Sequence, residues 1–274
     1  MGIDKNSKNR VKSCIVYVLQ EQASNFGHIW MKTNKVISEA IKLLGLRISE
    51  IQNHISEILK DDGKDIVKFE DKLFLSKNYL YEYEVYNNIK RLLEVKPTVS
   101  FDFDFYEAVN TVEEQQGFKF TEEQKTAIQL GIKNNVLVVN GKAGSGKTSV
   151  IKGIVEVLKM HHNSLMKENA DIEDLEYATC ALSGKASQRI QESTGLNAYT
   201  IHRLLGYNPR IGWGFDESNK MGYDVIVLDE ASMVGGDLFL RLLEAIPTTS
   251  KLIIVGDHGQ LSSIGACNVF FDLL

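Results

Sequence analysis

One string limits this chain more than any other. Four apolar residues, Val136 to Val139, lead into Gly141-x-x-x-x-Gly146-Lys147-Thr148, which is followed by Val150, Ile151, Ile154, Val155 and Leu158 at helical spacing. A strand, a glycine loop and an amphipathic helix in that order predict a P-loop. Its glycines let successive backbone N–H groups converge on a phosphate at the helix N-terminus. Lys147 then reaches the β and γ oxygens, and the Thr148 hydroxyl offers a ligand to Mg²⁺. Gly141, Gly144, Ser145, Gly146, Lys147 and Thr148 are therefore the candidate ATP-binding residues, with ATP and Mg²⁺ as the expected cofactors.

From Gly117 onward, short β-branched runs alternate with helical stretches, as βαβ units do. The predicted strands are Val136 to Val139, Tyr177 to Leu182, Val225 to Leu228 and Leu252 to Val255. Their unbroken apolar character predicts a parallel sheet covered by helices on both faces, hence an α/β fold. Two of these strands end in polar residues, at the edge where ligands of open α/β sheets bind. After YDVIVL come Asp229, suited to the Mg²⁺ shell, and Glu230, suited to take a proton from water, which together imply hydrolysis. Acids placed for a helix dipole would read the same way. After KLIIV come Gly256, Asp257 and Gln260, and Gln260 is either a γ-phosphate sensor or a solvated loop residue. Upstream, Thr121 and Gln124 have capping-box spacing, with a bidentate contact of the Gln124 amide to adenine as the alternative.

Composition narrows the rest. Lys plus Arg number 31 against 36 Asp plus Glu, a net charge of -5, so any nucleic-acid contact must use a local patch. Cys14, Cys180 and Cys267 are far apart without a C-x-x-C, which argues against a disulfide framework or zinc site and for a reducing compartment. No apolar run approaches the roughly 18 residues that a membrane span needs, and the N-terminus is charged, so a cytoplasmic chain with no membrane partner is expected.

The first ninety-odd residues read differently. Val11, Cys14, Ile15, Val18 and Leu19 form one helical stripe, and Val36, Ile37, Ala40, Ile41 and Leu44 a second, stopped by Gly45. Ile48, Ile51, Ile55, Ile58 and Leu59 form a third, with Ser49 as its expected cap. Ile66, Val67, Phe69 and then Leu73, Phe74, Leu75 flank a charged turn, so the segment 1–97 is predicted to be a small, mostly helical, winged-helix-like domain. Its third helix carries Glu50, Gln52, Asn53, His54, Glu57 and Lys60, which favours a structural or protein-docking role over duplex DNA. A later stripe of Tyr79, Tyr83, Tyr86, Ile89 and Leu93 is expected to pack in a core. The domain boundary falls near Pro97, with a linker helix over 98–116 and the ATPase domain over 117–274.

Taken in order, FTEEQ, GKAGSGKT, ALSGKASQRIQESTG, YTIHRLLG, VIVLDEASMV, VGDHGQL and GACNVFFDLL resemble the first motor domain of RecD-type superfamily 1 DNA helicases, from Gly117 to the C-terminus. The preceding segment resembles, less closely, the helical domain before that motor. The resemblance implies a RecA-like fold and ATP-driven 5′ to 3′ translocation, with single-stranded DNA or a single-strand/duplex junction and repair-complex subunits as partners. It makes Gln124 the adenine contact, Lys147 and Thr148 the phosphate and metal residues, Asp229 and Glu230 the metal and water-activating pair, and Gln260 the γ-phosphate coupler. Ser183, Gly184, Lys185, Thr200, His202 and Arg203 fall on segments that lie along the DNA in such helicases. GYNPRIGWGFDESNKMG falls where the family carries a strand-separating hairpin, which Trp213 and Phe215 would suit; plain packing of Trp213 is the alternative.

Ala143, Leu182, His258, Gly259 and Ser262 depart from the usual pattern, and Ala143 and Ser183 also look like the helicase half of conjugative relaxases. The motifs end at GDHGQL, so a second motor domain and its arginine finger are expected to be missing. Turnover by this piece is then expected below about 1 per second. The rival from another class is a nucleotide-switched module whose N-terminal domain docks a protein, a reading that the acidic composition favours.

Overall fold

The computed structural model describes residues 6–60, 64–95, 104–168, 174–260 and 266–274. Pro97, the first part of the expected linker (98–103) and Ser262 lie outside them. The chain divides into two compact units, the first built from 6–85 with 235–237 and 266–269, the second from the rest.

In the first unit, α1 (Lys8–Phe26), β1 (Trp30–Lys32), α2 (Thr33–Leu44), α3 (Ile48–Ile58), β2 (Ile66–Phe69) and β3 (Lys72–Leu75) follow in chain order. The helices lay Val11, Ile15, Leu19, Val36, Ala40, Ile51 and Ile55 into one core, which Met31, Ile66 and Leu73 close from the sheet. Gly27 (φ 70°) and Gly45 (φ 68°) end α1 and α2 in the left-handed conformation that favours glycine. The strands are antiparallel in the order β1-β3-β2. Strand β1 was not anticipated, since three residues with only Met31 buried show no period. Helix α3 begins at Ile48, one residue before the expected cap Ser49; its N-cap is Arg47, whose N–H donates to the Glu50 carboxylate at 2.8 Å.

Helix α4 (Ser76–Leu93) corrects a second expectation. Tyr83, Tyr86 and Leu93 are exposed, and the buried face is Asn78, Val85, Ile89 and Leu92. A helical period marks faces without saying which one turns inward. Here the aliphatic stripe does, leaving the amphipathic Tyr83 and Tyr86 in water while Tyr79 stays half-buried.

The second unit contains α5 (Phe105–Gln116), α6 (Glu122–Lys133), β4 (Val136–Asn140), α7 (Lys147–Glu168), β5 (Tyr177–Ala181), α8 (Gly184–Thr194), β6 (Ala198–Thr200), α9 (Ile201–Leu204), β7 (Val225–Asp229), α10 (Gly236–Ala245), β8 (Lys251–Gly256) and α11 (Val269–Asp272), although 236–237 and 269 belong to the first unit. Its five strands are parallel in the order β4-β8-β7-β5-β6, so every carboxyl end opens on one edge. Six consecutive buried residues in β8 reflect cover on both faces. Helix α5, expected as a linker, puts Ala108, Val109 and Val112 into the same core as Ile151, Ile154 and Val155 of α7, so this unit begins upstream of Gly117.

Candidate active site

Gly144 (φ 79°) and Gly146 (φ 81°) turn the loop between β4 and α7 through left-handed conformations. A Cβ on Gly146 would lie 2.3 Å from Gln124 Nε2, and one on Gly141 2.5 Å from Ser145 Oγ, so a side chain at either position would displace the Gln124 amide or the Ser145 hydroxyl. Gln124 does two jobs at once. Its Oε1 accepts from Thr121 N–H (3.0 Å) while Thr121 Oγ accepts from Gln124 N–H (3.3 Å), closing the capping box. Its Nε2 donates to the Ser145 carbonyl at 3.3 Å, which brings the side chain against the glycine loop. Lys147 Nζ donates to the carbonyls of Gly141 and Lys142, and Thr148 follows half-buried in the first turn of α7.

Strand β7 carries Asp229 to the same edge, where its Oδ1 accepts from Glu230 N–H at 2.7 Å. Burial pushes the Asp229 carboxyl above the usual range, against the opposing pull of the Glu230 amide and Lys147. Glu230 stands at φ 53°, ψ 33°, a left-handed conformation that costs a non-glycine residue about 1–2 kcal/mol. Burial and the Asp229 charge raise its carboxyl too, with Arg189 of α8 opposing. A carboxyl so raised is a stronger proton acceptor than an ordinary glutamate. From β8, buried Asp257 accepts from Gly259 N–H (2.9 Å) and Gln260 Nε2 (3.3 Å). The Gly259 amide, Gln260 and Lys147 hold this carboxyl below its usual range.

Lys147 thus stands in the field of two acids from adjacent strands. Asp257 belongs to this group more closely than its sequence position suggested, and its signal was its place after a fully buried strand. Folding also brings here Asn140 and His258, paired side chain to side chain at 2.9 Å, and Arg189, none of which carries a motif role in the sequence. The Thr148 hydroxyl and Asp229 carboxylate are oxygen donors suited to Mg²⁺. Among the described residues no three His, Cys, Asp or Glu side chains form a metal cage, so an ion here would complete its shell with phosphate oxygens and water.

The six candidate DNA residues gather at the carboxyl ends of the paired strands β5 and β6. Ser183 caps α8, its Oγ accepting from Ala186 N–H at 3.1 Å, and Gly184 and exposed Lys185 follow. Thr200 caps α9, its Oγ accepting from Arg203 N–H at 3.2 Å. The Arg203 guanidinium lies 5.5 Å from the Tyr199 ring centre. His202 stacks on Trp213 (5.5 Å, 26°), which meets Tyr207 at 4.5 Å. In place of an extended hairpin, the following segment makes one tight turn, with Asn208 and Gly212 exchanging backbone bonds of 2.8 and 2.7 Å and Ile211 86% exposed at its tip. Trp213 is packed in the ring cluster rather than presented by a strand.

A family model described as an AAA domain matches residues 124–266, just over half of the chain. The chain belongs to the AAA domain family. Membership of that family implies that the chain binds a nucleotide. The chain is 33% identical over 224 residues to the RecBCD enzyme subunit RecD of Mycolicibacterium smegmatis, covering 75% of this chain and 38% of that protein. It is 34% identical over 146 residues to the ATP-dependent RecD2 DNA helicase of Deinococcus radiodurans, covering 53% of this chain and 19% of that one. An uncharacterized protein of Methanocaldococcus jannaschii, MJ1519, is 27% identical over 254 residues, 87% of this chain and 20% of its own. The resemblance to a RecD-type motor region is borne out, and the chain spans well under half the length of each of these relatives.

Proposed function

We propose that this chain is the ATP-dependent motor region of a RecD-type DNA helicase, working in the cytoplasm on single-stranded DNA in the 5′ to 3′ direction. The observation that carries the proposal is that Lys147, bonded to the carbonyls of a glycine loop, lies in the field of Asp229 and Asp257 at the carboxyl edge of the sheet. On this reading Lys147 exchanges the Gly141 and Lys142 carbonyls for the β and γ oxygens of ATP. Thr148 and Asp229 hold Mg²⁺, which when bound neutralises part of the triphosphate charge. Glu230 takes the proton of the attacking water, and Gln260, tied to Asp257, reports the γ-phosphate to the DNA side. Gln124, already against the loop, turns its amide to adenine. Lys185 and Arg203 neutralise phosphates along the β5 and β6 ends, near the backbone and hydroxyls of Ser183, Gly184, Thr200 and the His202 ring.

The test is equilibrium binding of a fluorescent single-stranded oligonucleotide, with and without a nonhydrolysable ATP analogue and Mg²⁺, over a salt series. Wild type is expected to bind in a salt-dependent manner, with an affinity that shifts on adding the analogue, and Lys147→Ala to lose that shift. Tight analogue binding with negligible DNA affinity at low salt would replace this reading with the nucleotide-switched docking module.

A further inference from the structure

The β1-β3-β2 sheet has one face in a core, and on the other its fold covers Phe74 while leaving the flanking side chains partly in water. Register places Trp30 and Val67 on either side of Phe74, and Lys32 and Phe69 on either side of Lys72, all on the face opposite Met31 and Leu73. Phe74 is buried, with Tyr79 edge-on to it at 5.3 Å. Trp30 (38%) and Phe69 (53%) keep much of their surface in water, and Lys32 is exposed beside them. Lys72 Nζ lies 4.3 Å from the centre of the Trp30 ring.

Both parts of this arrangement cost stability to the isolated sheet. Two ammonium groups directly opposite each other on paired strands repel, which the Lys72 contact with one face of the Trp30 ring offsets in part, and the exposed parts of Trp30 and Phe69 forgo burial. A partner with flat apolar rings on an anionic backbone reverses both terms. We infer that this face is a second binding platform for single-stranded nucleic acid, with bases stacked on Trp30 and Phe69 and phosphates held by Lys32 and Lys72. The inference rests on the DNA-motor reading and adds a site to it outside the motor unit.

Geometry selects single strands over duplex. Trp30 and Phe69 sit on strands separated by β3, about 10 Å apart across the sheet, whereas bases in a duplex are stacked about 3.4 Å apart and offer only their edges. The neighbouring α3 surface does not compete, because Glu50 and Glu57 repel phosphates. Glu70 and Asp71 in the β2-β3 turn end the platform on that side.

The chain contains two tryptophans, so 5-fluorotryptophan labelling gives two ¹⁹F resonances, assigned with Trp30→Phe. On titrating the whole chain with oligothymidylate, the Trp30 resonance is expected to shift saturably. Phe69→Ala is expected to weaken that transition at least about fivefold. Removing one lysine should make the slope of log affinity against log salt shallower by about 0.7. Circular dichroism checks that each surface variant is folded. If anisotropy of a labelled oligonucleotide reports binding while the Trp30 resonance stays still, the platform is overturned and the motor reading stands. If neither signal moves at low salt, both fall. An equal shift of Trp30 with blunt duplex would also overturn it, since stacking demands unpaired bases.

Discussion

Lys251 and Lys147 stand at opposite ends of one parallel sheet, and their partners differ in kind. Lys251 opens β8 and is buried, with Nζ donating to the carbonyls of Ile132 and Asn134 at 2.8 Å each, where α6 ends. Buried Asn135, at the same end, donates from Nδ2 to the carbonyls of Leu92 and Val95. These side chains serve backbone carbonyls at helix ends, which must find donors somewhere. Lys147, half-buried at the carboxyl end, also bonds two carbonyls, but they belong to a glycine loop and two acids share its field. A charge bonded to fixed helix ends is spent on the fold, whereas one bonded to a loop beside other charges can change partners. Burial marks polar residues at both ends, and the nature of their partners separates scaffold from chemistry.

The largest effect expected at the chemical end is that of Glu230→Gln. Single-turnover ATP hydrolysis should fall by about 10²- to 10⁴-fold while the nonhydrolysable analogue still binds. Unchanged hydrolysis would remove Glu230 from the role of base. Matching substitutions then sharpen the contrast between the two lysines. Lys147→Met should weaken analogue binding by about ten- to a hundredfold, the loss expected for hydrogen bonds to a charged group, in a calorimetric titration. Lys251→Met should leave that affinity alone and change the pH dependence of stability instead. Burial pushes Lys251 down from 10.5 to about 8. Between those values the unfolded chain holds a proton that the folded chain has released, so stability rises with pH across the window, by about 3 kcal/mol. Denaturant melts on either side of the window should show that rise in wild type and not in Lys251→Met. A rise that persists in the variant would assign it to another group.

The same contrast governs what was legible in the sequence. Phosphate chemistry restricts residue types at fixed spacing, so Gly141 to Thr148, and Asp229 with Glu230 at a strand end, could be read directly. The four longer strands were legible as continuous apolar runs, which in β5, β7 and β8 reflect burial on both faces, while β4 at the sheet edge is half-buried. Strands β1 and β6 have three residues each, too few to display a period, and are defined by pairing with β3 and β5. The outward turn of the α4 tyrosines, the burial of α5, the left-handed Glu230 and the closeness of Asp257 to Lys147 depend on contacts between distant segments. Gln124 shows the limit best: spacing offered a cap or a ligand contact, and the folded side chain closes the cap while touching the glycine loop.

Ser183 offers the finest version of the same distinction, with the smallest expected effect. Its hydroxyl accepts from Ala186 N–H and so serves the fold, yet an accepting hydroxyl keeps its own proton to donate to a phosphate. Ser183→Ala removes both functions and should cost about 1 kcal/mol of stability through the lost cap. Ser183→Gly removes the hydroxyl but costs only a few tenths of a kcal/mol, since glycine is tolerated at a helix N-cap. If the hydroxyl touches DNA, both variants should weaken oligonucleotide binding by a similar amount, about two- to tenfold for one hydrogen bond, although their melting temperatures differ. If Ser183→Gly binds as wild type does, Ser183 belongs with Lys251 among residues spent on the scaffold, and the charge of Lys185 is left to carry the phosphate contact at the end of β5.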